Sequence, residues 1–277
     1  MTVKVKKIPG TFLKKAPAAF LGLGLAGFRL NFEADAAGII TVLASRYTRF
    51  LRSGKNGFVF DAKLVKGRQN PFKPVISCKG SRLEIKRGDF AALLDLRTGL
   101  GTLAAAATEQ CLDAFLRSLI SFMLIREGGF MLHSAGLVKN GKVYLFLGKS
   151  GAGKSTLSKL AAANGAEVIS DEINLVRPVK GSYRVYGSPF WGEMRADGRP
   201  GSWPLGGLFL LKKAKANRVQ PCSKPEALKL LLRCLLNFDK SPEAAERVMK
   251  NSFSLLGKAR FAGLEFTRNN AGFLELI

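Results

Sequence analysis

At 277 residues, with 47% hydrophobic and 23% charged residues and a mean hydropathy of +0.09, the chain can bury roughly three-quarters of its unfolded surface. A disordered, collagenous or disulfide-stapled chain is excluded. The net charge of +24 is spread over the whole length, with 19 basic and 6 acidic residues in 1–100 against 25 and 14 in the remainder. Such a surface attracts polyanions without naming one. No RNP1 pattern, zinc finger or basic region followed by heptads is present, so nothing points to nucleic acid, and an acidic partner or phosphorylated ligand accounts for the charge equally well.

The longest uncharged apolar stretch, Ala16 to Phe28, is 13 residues, short of the roughly 20 that a membrane-spanning helix needs. No membrane span is expected. Lys14 and Lys15 ahead of it and Ala34-Asp35-Ala36 after it resemble parts of a secretory signal, but Gly27 to Phe32 reads as a strand leading into a helix. Ala36 to Leu51 places Ile39, Ile40, Leu43, Tyr47 and Leu51 on one helical face, and Phe58–Phe60, Pro74–Ser77 and Arg82–Lys86 read as strands. Thr108 caps a predicted helix to about Arg126. Cysteines 78, 111, 222 and 234 form no C-x-x-C pair, and the expectation is reduced thiols in a cytoplasmic protein.

From Phe130 the pattern becomes strand, Asn140-Gly141 turn, strand Lys142–Leu147, glycine-rich loop, helix Lys154–Ala163 and strand Glu167–Ser170. Gly187 to Gly207 reads as a loop, Leu208 to Leu211 as a strand, and Ser223 and Ser241 as caps of two further helices.

Gly148-Lys-Ser150-Gly151-Ala152-Gly153-Lys154-Ser155 matches G-x-x-x-x-G-K-[ST], a phosphate-binding (P-loop) pattern. About one or two chains in a hundred of this length would carry it by chance at average residue usage. The apolar strand before it and the helix after it are what the chemistry needs. Glycines let backbone N–H groups curl round phosphates, and the helix N-terminus adds a partial positive charge. Lys154 is the candidate for the β- and γ-phosphates, Ser155 for Mg²⁺, and Thr156 continues the loop's contacts.

Asp171 and Glu172 lie 17 and 18 positions after Lys154, at the end of the next strand. A crossover helix would bring that strand end to the sheet edge that carries the loop. Neighbours in extended chain face opposite sides, so one carboxylate would hold the metal and the other would meet an incoming hydroxyl. His133 is the sole histidine. If Asn140-Gly141 are the two turn residues, hairpin partners sum to 281 and His133 faces Gly148, close enough to bond a phosphate oxygen or tune the acid.

His133, the loop from Gly148 to Ser155 and the acidic pair together resemble the HPr kinase/phosphorylase family, within the superfamily that includes phosphoenolpyruvate carboxykinases. The resemblance is densest from His133 to Val176. It implies an α/β fold: a P-loop core with a mixed sheet over 101–277, preceded by a smaller α+β subdomain over 1–100. The implied activity is ATP- and Mg²⁺-dependent transfer of the γ-phosphoryl group to a serine or other hydroxyl of a protein, peptide or small molecule. Asp171 is the implied base, Glu172 and Ser155 the metal side, and self-association is compatible with it. Thr156 stands where the family has Glu, Glu172 where it has Asp, and its Arg-Gly-Leu-Gly segment has no counterpart. These departures leave HPr itself unspecified as acceptor. In place of that segment stands Tyr186 to Arg195, a loop suited to closing over the acceptor, with Arg195 as a charge neutraliser. The second expectation is an ATP-sensing module that recruits a partner without transfer. The absence of an ABC signature and of Asn-Lys-x-Asp argues against a motor or switch ATPase.

Overall fold

The computed structural model describes residues 19–34, 37–54, 56–67, 73–194 and 197–277. Lys14, Lys15, Asp35, Ala36 and Arg195 lie outside the described residues. The described chain is α/β, with two mixed sheets and five α-helices. It divides into two compact units between Leu119 and Ile120, inside one helix.

In the first unit, β1 (Ala19–Leu25), β2 (Phe28–Ala34), β3 (Phe58–Leu64), β4 (Val75–Lys79), β5 (Arg82–Arg87), β6 (Phe90–Asp95) and β7 (Leu100–Ala105) form a sheet in the order β1-β2-β3-β7-β6-β5-β4. β2, β3 and β7 run parallel, the other pairs antiparallel. The apolar stretch read around Ala19–Leu25 is thus the first strand of a hairpin. α1 (Ala37–Arg46) buries Ile39 and Leu43, and a short 3-10 turn at Thr48–Phe50 takes over where a longer helix is expected. Four phenylalanines set the core: Phe32 and Phe60 stack at 5.6 Å, and Phe115 of α2 (Glu109–Arg126) meets Phe32, Phe60 and Phe90 edge-on at 6.4, 5.5 and 5.8 Å. Thr108 does cap α2, its Oγ1 accepting from the Cys111 amide.

The second unit holds β8 (Phe130–Lys139), β9 (Lys142–Leu147), β10 (Glu167–Ser170), β11 (Ile173–Val179), β12 (Ser182–Tyr186), β13 (Ser202–Lys213), β14 (Arg218–Pro221) and β15 (Phe261–Phe266), with α3 (Lys154–Ala163), α4 (Lys224–Cys234) and α5 (Pro242–Lys258). Asn140 and Gly141 both take positive φ, 51° and 72°, as a type I′ turn requires, and the hairpin has the expected register from Lys139↔Lys142 to Ser134↔Leu147. β9 pairs antiparallel with β8 and parallel with β13, which pairs parallel with β15. β8 is long enough to pair with β11 through its first half and with β10 through its second.

β9 is buried on both faces. Val143, Leu145 and Leu147 join a core that α4 and α5 cover with Leu231, Cys234 and Leu255. Phe146 faces the other side, with Leu157 and Ala161 of α3. This double burial explains its unbroken apolar run. Ser223 makes a full capping box with Glu226, and Ser241 caps α5. β13 also differs from expectation, beginning at Ser202, well inside the predicted loop. Pro204 and Gly206 do not break it, because it leaves β12 and joins β9 there through a bulge between Leu205 and Gly207. Among the described residues, no helix is long and apolar enough to cross a membrane.

Candidate functional site

β9 and β10 each run antiparallel to β8, so they point the same way and their C-terminal ends open on one edge of the sheet. Between them lies a cavity of about 440 Å³. Ser150, Gly151, Gly153, Lys154, Ser155 and Thr156 form one wall, and His133, Asp171 and Glu172 another. The residues singled out along the sequence are therefore brought together. Gly148 and Ala152 do not line the cavity, and Arg195 is outside the described residues.

The loop leaves β9 and enters α3 through Gly153 at φ 103°, with no side chain capping the helix. Gly151 sits at φ 75° with open space where a side chain would be. The uncapped first turn of α3, Lys154 to Thr156, therefore lines the cavity, and an open helix N-terminus suits an anion. Lys154 is only 6% exposed, yet lines the cavity and donates to the Gly148 carbonyl at 2.9 Å. Burial pulls its pKa below the ordinary lysine value, opposed by Cys234 and Glu172.

Asp171 and Glu172 depart from the alternation expected of extended chain. They form a bend between β10 and β11, so both reach the same cavity. Ser170 stabilises the bend, its hydroxyl accepting from the amides of Glu172 and Ile173, while the Glu172 carbonyl accepts from the Ser134 amide. Asp171 is 5% exposed, and its Oδ2 accepts the Met194 amide at 3.0 Å. His133 pairs with Ile173 in β11 and stands one residue beyond the last β8–β9 partner, Ser134. Burial, then the Lys154 ammonium, lowers its pKa below the usual 6.5, favouring the neutral ring.

The sequence reading missed two residues. Lys213, just past the predicted strand Leu208–Leu211, lines the cavity. Leu210 of β13 lies beside Leu147, so the strand carries Lys213 past the end of β9 to the level of the glycine loop. A cation closing the apolar run Leu208–Leu211 was the available signal. Cys234, the last residue of α4, directs its thiol at the same Gly148 carbonyl, 3.8 Å away, and burial raises its pKa. Nothing in the sequence links it to a glycine 86 residues earlier.

The family model of SynChlorMet cassette protein ScmC matches residues 113–237, somewhat less than half of the chain. This overturns the resemblance to the HPr kinase/phosphorylase family: the stretch from His133 to Val176 that carried it lies inside the match to ScmC. A histidine, a glycine-lysine loop and an acidic pair describe one way of surrounding phosphate, and such a constellation does not separate one family from another. No curated protein matches the chain.

Proposed function

We propose that the second unit is an ATP- and Mg²⁺-dependent phosphotransferase with a P-loop core, moving the γ-phosphoryl group to a hydroxyl. The observation that carries this reading is the convergence of Lys154, Ser155, Asp171 and Glu172 on one cavity at the C-terminal edge of β9 and β10. The loop wall and the N-terminus of α3 bind the phosphates, and Lys154 and Lys213 meet their charge. In the transfer, the acceptor oxygen bonds to the γ-phosphorus while the bond from that phosphorus to the β–γ bridging oxygen breaks. ADP leaves, and the hydroxyl proton passes to Asp171. His133, held neutral, donates or accepts a hydrogen bond at the cavity wall.

The donors also fit Mg²⁺. Ser155, Asp171 and Glu172 offer hard oxygens, and among the described residues no group of three or more His, Cys, Asp or Glu side chains is gathered to hold a metal by itself. A metal shared with substrate phosphates suits such a site. When bound, it would supply charge neutralisation on the phosphates. Ser155 and Glu172 are the residues that would hold it.

A second reading is favoured by one observation: Asp171 is almost covered. A nucleotide-sensing module, binding ATP and recruiting a partner without transfer, needs no exposed base. The deciding experiment is incubation with Mg²⁺ and γ-labelled ATP, with and without host lysate, beside Lys154→Ala and Asp171→Ala. Label on a discrete acceptor, lost in both variants, is the expected result. ATP binding that depends on Lys154 with no label transferred would establish the sensing module instead.

A further inference from the structure

The cover over Asp171 has its own construction. Residues 187–194, which leave β12, and 197–201, which lead into β13, form the two limbs of a strap tied at the foot, Gly187 donating to the Gly201 carbonyl and Gly198 to the Ser188 carbonyl. Gly198 also lies against β10: a Cβ there would come 2.1 Å from the Ile169 carbonyl oxygen, two residues before Asp171. The foot is thus registered on the strand that delivers the carboxylate. Ser188 and Phe190 are fully buried, and Trp191 reaches across to bond Asp197.

The tip of the strap rests on the carboxylate. The Met194 amide donates to Oδ2. Gly192 passes so close that a Cβ would lie 2.6 Å from Oδ1 and 2.8 Å from Oδ2. Glu193, between them, lines the cavity and pairs with Lys159 of α3 at 3.3 Å.

We propose that Gly192, Glu193 and Met194 are positioning residues for Asp171, forming the acceptor-side wall of the site. The inference rests on the reading of Asp171 as the base. The Met194 amide holds one carboxylate oxygen and so fixes the plane of the group. Gly192 seals its outer side, so an acceptor hydroxyl reaches Asp171 only from the cavity, on the side of Lys154. The Lys159–Glu193 pair seats the strap on the helix that begins at the glycine loop. Water and side-on acceptors are kept off the base, while its small exposure stays open to a hydroxyl aligned with the phosphates.

Trp191 lies on the strap and serves as its reporter. In a Trp203→Phe background, the acrylamide quenching of Trp191 is measured without nucleotide for the parent, Asp171→Ala, Gly192→Ala and the double variant. Each single change is expected to raise the quenching constant at least two-fold, the first by removing the seat and the second by forcing the strap off it. The double variant is expected to exceed Asp171→Ala by nothing, since the added methyl then has no carboxylate to strike. Hydrogen exchange of the peptide spanning 188–194, with Trp203 retained, reads the same release without the core substitution and is expected to quicken in Asp171→Ala. Quenching and exchange unchanged in Asp171→Ala would overturn the proposal. Failure of the functional reading shows separately, as a parent protein that binds no ATP. Where the parent transfers label, Gly192→Ala is expected to lower transfer at least ten-fold, and undiminished transfer would sink the positioning role.

Discussion

The ammonium of Lys154 and the thiol of Cys234 converge on one acceptor, the carbonyl oxygen of Gly148, at 2.9 and 3.8 Å. The cation of the glycine loop is therefore held by the first residue of its own loop, and a helix that ends 80 residues after Lys154 supplies a second donor to the same oxygen. Under the proposed reading, in which Lys154 would turn to phosphate, the thiol would remain to satisfy that buried carbonyl.

Replacing Lys154 by Met keeps most of its apolar stem and removes the charge. ATP affinity, measured by calorimetry, is expected to fall at least ten-fold, about 1.4 kcal/mol. The same variant has a second reading at His133, whose single imidazole signal can be followed by NMR. In the parent it titrates below 6.5. Without the Lys154 ammonium its pKa rises but stays below 6.5, because burial is the larger cause. A folded-state pKa below the unfolded one means that the unfolded chain takes the proton first, so this histidine's contribution to stability is lost as pH falls below 6.5.

Lys213 tests whether the far wall of the cavity takes part. It is solvent-exposed and has no role in the core, so Lys213→Ala should leave the unfolding midpoint within experimental error. ATP affinity should fall about three- to ten-fold, in line with the loss of a charge-assisted hydrogen bond. Affinity equal to that of the parent would remove Lys213 from the site.

None of the four cysteines is in a disulfide, and they differ in access. Cys78 and Cys222 are partly exposed and should react with a thiol reagent at pH 8 in the folded protein, while Cys111 and Cys234 should react only after unfolding. Burial, reinforced by Asp89, pushes the Cys111 pKa from 9.0 to about 12. The unfolded chain then releases that proton first as pH rises, so stability should decline between pH 9 and 12, and the decline should be shallower in Cys111→Ala. Denaturant midpoints across that range decide it.

Phe115 is fully buried against three other rings, and Phe115→Ala should cost about 3–5 kcal/mol in denaturant unfolding. Ser223→Ala, which breaks a capping box on an exposed helix start, should cost only about 1 kcal/mol. Equal losses would mean that the ring cluster contributes little to the first unit.

What the sequence determined was local, and it held wherever the physics is local. Two adjacent turn residues that tolerate positive φ set the β8–β9 register, and with it the place of His133. Caps at Thr108, Ser223 and Ser241 start three helices, and the spacing of glycines and lysine shapes the loop into α3. What only the tertiary structure decided depends on contacts between distant segments. Asp171 and Glu172 share one cavity because Ser170 bends the chain there, which no alternation rule contains. Lys213 enters the site because β13 pairs parallel with β9, and Cys234 because α4 ends beneath Gly148. The strap meets Asp171 through a backbone amide and a missing side chain, features that carry no residue-type signature and acquire meaning only when the fold brings the two segments within hydrogen-bond distance.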